Sequence, residues 1–68
     1  MNEQSLKALK NWRVFNDELN TFSEDEVLEM LEHELLNENR KTFVERLHQR
    51  YSALRAARER VKLMEKFN

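Results

Sequence analysis

The chain has no cysteine, no glycine and no proline among its 68 residues. Without cysteine there are no disulfides and no thiolate metal sites, so a small core has lost two of its usual supports. Without glycine the tight turns of β-hairpins, which need positive φ, have no natural occupant. Helix is therefore the default reading of every periodic segment. Apolar runs never exceed two residues, too short for a membrane span. The stretch MNEQSLKALKNW lacks both an apolar core region and a small-residue cleavage site, so no secretory signal is expected. The expected location is the cytoplasm. A single domain of this length buries only about 60% of the surface its unfolded chain exposes, so a partner chain is an expected source of further stability.

What is present is charge, unevenly placed. Residues 1–39 carry ten acidic side chains against Lys7, Lys10 and Arg13, a balance of −7. Residues 40–68 carry nine basic side chains against Glu45, Glu59 and Glu65, a balance of +6. Such asymmetry fits either a nucleic-acid-binding half or two halves that neutralise each other.

The clearest local signal is Thr21-Phe22-Ser23-Glu24-Asp25-Glu26-Val27. Ser23 and Glu26 have capping-box spacing, and Phe22 and Val27 stand at the positions of a hydrophobic staple. Three acidic residues fill the first turn, where the helix dipole favours them. A helix is predicted from residue 24 to 37, with Val27, Leu28, Leu31 and Leu35 on one broad face and Met30 and Leu36 flanking it. Upstream, Ala8, Trp12, Phe15, Leu19 and Phe22 recur at spacings of 4, 3, 4 and 3. They predict a first helix over 5–19, with Ser5 as its cap. Downstream, the polar NENRK connection leads to Thr42 and Glu45, a second candidate capping box, and to a long helix over 40–66. Its seam is Phe43, Leu47, Arg50, Leu54, Ala57, Val61 and Met64, a heptad-like pattern. A second apolar strip lies on its far side: Ala53, Ala56, Leu63 and Phe67.

The predicted fold is all-α: a short helix followed by an antiparallel helical hairpin with a long C-terminal helix, packed in coiled-coil fashion and oligomeric, a homodimer foremost. Trp12, Phe15 and Phe67 are the candidate docking residues, because aromatic anchors dominate interface energies. Arg50 and Arg58 fall within the apolar seam and are the candidates for fixing register: an unpaired buried arginine is very costly, so each is expected to have a carboxylate opposite, from the acidic helix or a second subunit, or to lie at an interface edge.

Chemistry is sparse. His33 lacks the second histidine of a zinc-protease helix, Asn37 standing four residues on, and His48 lies on another predicted helix. No serine–histidine–acid set and no glycine-rich phosphate loop can be drawn, so no catalytic, cofactor or metal site is assigned and no enzyme is expected. The leading functional expectation is a non-enzymatic protein-interaction module with an unidentified protein partner. The alternative is a nucleic-acid accessory protein using Arg46, Arg55, Arg58, Lys62 and Lys66. Protein packing is favoured, because the basic residues border the apolar seam on both sides instead of sharing one exposed face.

With the helices laid out, RKTFVERLHQRYSALRAARERVKLM looks like the C-terminal helix of small uncharacterised accessory proteins of tailed bacteriophages. There too an acidic start led by serine, a short leucine-rich helix and an arginine-rich helix follow in order. The resemblance covers residues 23–64 and carries no catalytic residue. It implies an accessory protein of infection, acting in the host cytoplasm and binding a host or phage protein. The connection between the two helices departs from the pattern in having no glycine.

Overall fold

The computed structural model of the chain describes residues 1–67, the side chain of Phe67 excepted. The regular structure among the described residues is all helical, in four α-helices: α1 (Glu3–Ala8), α2 (Trp12–Glu18), α3 (Glu24–Leu36) and α4 (Lys41–Phe67). A 3₁₀ turn, Leu19–Thr21, joins α2 to α3. No helix among the described residues is long and apolar enough to cross a membrane.

The single helix expected over 5–19 is two helices, and the reason lies at Asn11. Its backbone is extended and its side-chain oxygen accepts from the N–H groups of Arg13 (2.9 Å) and Val14 (3.3 Å). That bonding starts a new helix at Trp12. Just before it, the N–H groups of Lys10 and Asn11 bond three residues back, to Lys7 and Ala8, which tightens and ends α1. Ser5 is not the cap. It is buried inside α1, and Asn2 does the capping by accepting the Ser5 N–H at 2.8 Å.

The capping box of α3 forms as its sequence requires. Glu26 N–H donates to Ser23 Oγ (3.2 Å), and Ser23 N–H donates to Glu26 Oε1 (2.9 Å). Phe22 and Val27 are both buried at the staple positions. The second Glu26 oxygen accepts from Asn2 Nδ2 at 2.9 Å, so one asparagine caps α1 and also holds the start of α3. These bonds, the Ser23 backbone first and Asn2 next, hold the Glu26 carboxyl below its ordinary pKa. At the other end Asn37 bonds the His33 carbonyl through both its backbone and its side chain. Asn39 takes the left-handed conformation (φ 49°) that glycine would otherwise supply. Its N–H reaches the Glu34 carbonyl at 2.6 Å. The connection therefore turns sharply without glycine. Helix α4 starts at Lys41, so Thr42 lies inside it instead of capping it.

The core gathers Ala8, Leu9, Phe15, Leu19 and Phe22 from the N-terminal elements, Val27, Met30 and Leu31 from α3, and Phe43 and Leu47 from α4. Val44, Tyr51 and Leu54 pack around it. The buried face of α3 is Val27, Met30, Leu31 and Glu34, rotated from the expected leucine face. Met30 is interior, whereas Leu35 and Leu36 are exposed. The rotation follows from α3 packing against α1 as well as α4.

Helix α4 outruns this core. Its 27 residues span about 40 Å at 1.5 Å each, close to the 44 Å length of the whole chain. Every described side chain beyond Leu54 is exposed. The predicted seam is thus a core only as far as Leu54.

Candidate functional site

Among the described residues Glu34 is the one charged side chain in the interior, 1% exposed, and Arg40 reaches it from the connection. Arg40 donates from Nε to Glu34 Oε2 (2.9 Å) and from Nη2 to Glu34 Oε1 (2.8 Å), a bidentate pair. The Arg40 backbone N–H adds a third bond to Oε2 at 2.9 Å. Nη2 also donates to the Leu9 carbonyl at 2.7 Å, and the guanidinium lies 3.8 Å above the Phe43 ring. Glu38 contributes a further contact at 2.9 Å. One arginine thereby joins the end of α1, the end of α3 and the start of α4. The Arg40 bonds hold the Glu34 carboxyl below its ordinary pKa against the opposing effect of burial, and Glu34 raises that of Arg40.

These two residues were missed by sequence reasoning, although a signal existed. Glu34 follows Val27 by seven and Met30 by four, so it lies in the apolar stripe of α3 and must bring a partner into the core. The seam arginines do not play that part together. Arg58 does meet a carboxylate of α3, donating from Nε to Glu24 at 3.0–3.1 Å, but the pair is largely exposed. Glu24 raises the pKa of Arg58. Arg50 makes no ion pair among the described residues, and its Nε is buried without a hydrogen-bond partner. Of the two seam arginines, Arg58 meets a carboxylate and Arg50 does not among the described residues. The buried lock is Glu34–Arg40.

The aromatic candidates part ways. Phe15 is wholly interior, and stacks between Trp12 (5.6 Å between centroids) and Phe43 (4.9 Å). It is core, not a docking residue, because it falls where α2 faces α4. Trp12 sits with its edge on Phe43 at 5.0 Å and stays 44% exposed. It walls a shallow cavity of about 350 Å³ with Thr42, Glu45, Arg46 and Gln49. The Phe67 side chain lies outside the described residues. Among those residues no cluster of histidine and carboxylate side chains is arranged to hold a metal ion.

The basic residues proposed for nucleic acid are mostly engaged. Arg46 bonds Gln49, Arg55 pairs with Glu59 at 3.1 Å, and Arg58 pairs with Glu24. Lys62 and Lys66 make no ion pair among the described residues, and both flank the free half of α4. On that half Val61, Leu63 and Met64 stand 57%, 58% and 63% exposed. Val61 and Met64 continue the seam and Leu63 belongs to the far strip, so this helix segment stands with large apolar side chains uncovered on both sides. No known family model matches this chain, and comparisons with curated proteins and with solved structures give no match either.

Proposed function

We propose that this chain is a non-enzymatic protein-interaction module that docks through the free half of α4. The observation that carries the reading is the overhang itself. A helix continued past its core, with Val61, Leu63 and Met64 still exposed, spends apolar surface on water unless a partner covers it. Helices α3 and α4 form an antiparallel hairpin that presents this segment, a reading supported by Glu24 meeting Arg58 while Glu34 meets Arg40. Trp12 is the second anchor, being the exposed aromatic of the N-terminal face. The likeness of residues 23–64 to phage accessory proteins fits the same role, with a host or phage protein as partner in the host cytoplasm. Nucleic acid is the weaker reading, because three of its five basic candidates already have partners in the chain.

The test uses immobilised wild type and a Val61→Glu/Met64→Glu variant in nuclease-treated extract. The expected result is a set of proteins held by the wild type and lost on the variant. Equal capture by both baits would overturn the docking role of α4. Capture that vanishes with nuclease, together with retention on heparin at physiological ionic strength, would favour nucleic acid instead.

A further inference from the structure

The α3–α4 pair has two sides, and only one is covered. Against the covered side lie Trp12, over Phe43, and Leu6 and Leu9, which share a cavity wall with His33, Glu34 and Asn37. The other side carries Leu28 and Leu35 on α3 and Val44 and Tyr51 on α4, each pair seven residues apart and so on one helix face. Leu28, Val44 and Tyr51 are half-buried and Leu35 is half-exposed. Glu24–Arg58 closes the end of this ladder. Asp25 and Glu32 border its leucines, and neither makes an ion pair among the described residues. The free side is a leucine strip with an acidic edge.

The overhang is its complement in charge and in size. Residues 55–66 carry five basic side chains against Glu59 and Glu65, a balance of +3. Val61 follows Leu47 and Leu54 at intervals of seven, so the seam that is core in the first half of α4 runs on uncovered in the second. That uncovered segment is about 18 Å long and α3 is about 20 Å, so one α3 covers it. Two overhangs laid against each other would oppose +3 to +3. An overhang laid along the acidic edge of another copy's α3 brings opposite signs together.

We propose that a second copy of this chain is the occupant. In this arrangement each copy lays its α4 overhang along the free side of its partner's α3–α4 pair, a reciprocal interface closed by twofold symmetry. The proposal rests on the interaction-module reading and names one partner for it.

Sedimentation equilibrium at micromolar concentration tests it with two variants at positions exposed in the single copy, Leu35→Lys and Val61→Glu. Wild type is expected to be a dimer whose dissociation constant rises with salt. Each variant alone should weaken it at least ~10-fold, with the helical dichroism of the chain retained. An equimolar mixture should recover the dimer, because each mixed pair has one unaltered contact and one with lysine facing glutamate. A wild-type monomer, a dimer strengthened by salt, a Leu35→Lys variant that dimerises normally, or a mixture that stays monomeric would each overturn the proposal. A monomeric wild type that still loses its captured proteins on the Val61→Glu/Met64→Glu change would leave the interaction module standing with a different partner.

Discussion

Removing Arg40 should do more damage than removing any other basic residue, and the damage should change with pH in an unusual way. In Arg40→Ala the Glu34 carboxylate, 1% exposed in the wild type, loses both guanidinium bonds. Only the backbone N–H of residue 40 remains to it. Breaking a buried pair by deleting one partner costs about 3–5 kcal/mol. A core of this size supplies only about 3–5 kcal/mol in all. Thermal melting followed by far-ultraviolet dichroism should therefore show a transition at least ~12 °C lower, at about 4 °C per kcal/mol, or no folded baseline.

The sign with pH follows from Glu34. In the wild type its folded pKa lies below the ordinary 4.5. Its contribution is fully present above that value and is lost as pH falls through the folded one. Without the Arg40 side chain only the residue 40 N–H and His33 still oppose burial, so the folded pKa rises from its wild-type position. The variant should therefore lose less stability than the wild type as pH falls from neutral through 4.5. Glu34→Met/Arg40→Met, which leaves no buried charge, should recover more than half of the loss and show neither trend. Parallel stability–pH curves for wild type and Arg40→Ala would refute the assignment of Glu34 as a buried, Arg40-dependent carboxylate.

Two further outcomes follow from the same geometry. Arg50→Met should leave melting unchanged or raise it, because it removes a buried Nε that has no partner; Arg58→Ala should leave melting nearly unchanged, its pair with Glu24 lying at the solvent-screened surface. A large loss at Arg50 would mean that its carboxylate comes from a second copy. Asn39→Gly should be neutral or slightly stabilising at φ 49°, whereas Asn39→Val should cost about 1–2 kcal/mol in urea unfolding, from its Cβ in the left-handed region.

The elements legible in the sequence were those with redundant local signals. At Ser23–Val27 the cap, the staple and the acidic turn all agree, and α3 starts where they say. The break between α1 and α2 was hidden because Ala8, Phe15, Leu19 and Phe22 are all buried, as one continuous stripe would require. An interrupted helix can present the same residues if the chain re-enters at a suitable angle, and Asn11 sets that angle through bonds no periodicity records. The seam of α4 is core only in its first half, to Leu54. Its heptads continue to Met64, but α3 is too short to cover them.

Glu34 and Arg50 mark the limit of pattern reading in opposite ways. Both interrupt an apolar stripe, so each should carry a partner into the interior. Glu34 has one because Arg40 lies in the adjoining connection, where the backbone of residue 40 already bonds the carboxylate and brings the side chain with it. Arg50 lies on the buried side of α4, and no carboxylate among the described residues pairs with it. A lone arginine half-buried in a small core is a standing cost unless something supplies an anion. The lock at Glu34–Arg40 gathers the ends of α1 and α3 at the start of α4, while the unpartnered Arg50 Nε and the exposed Val61, Leu63 and Met64 fall further along that helix. The contacts that hold the fold are thus concentrated towards the start of α4.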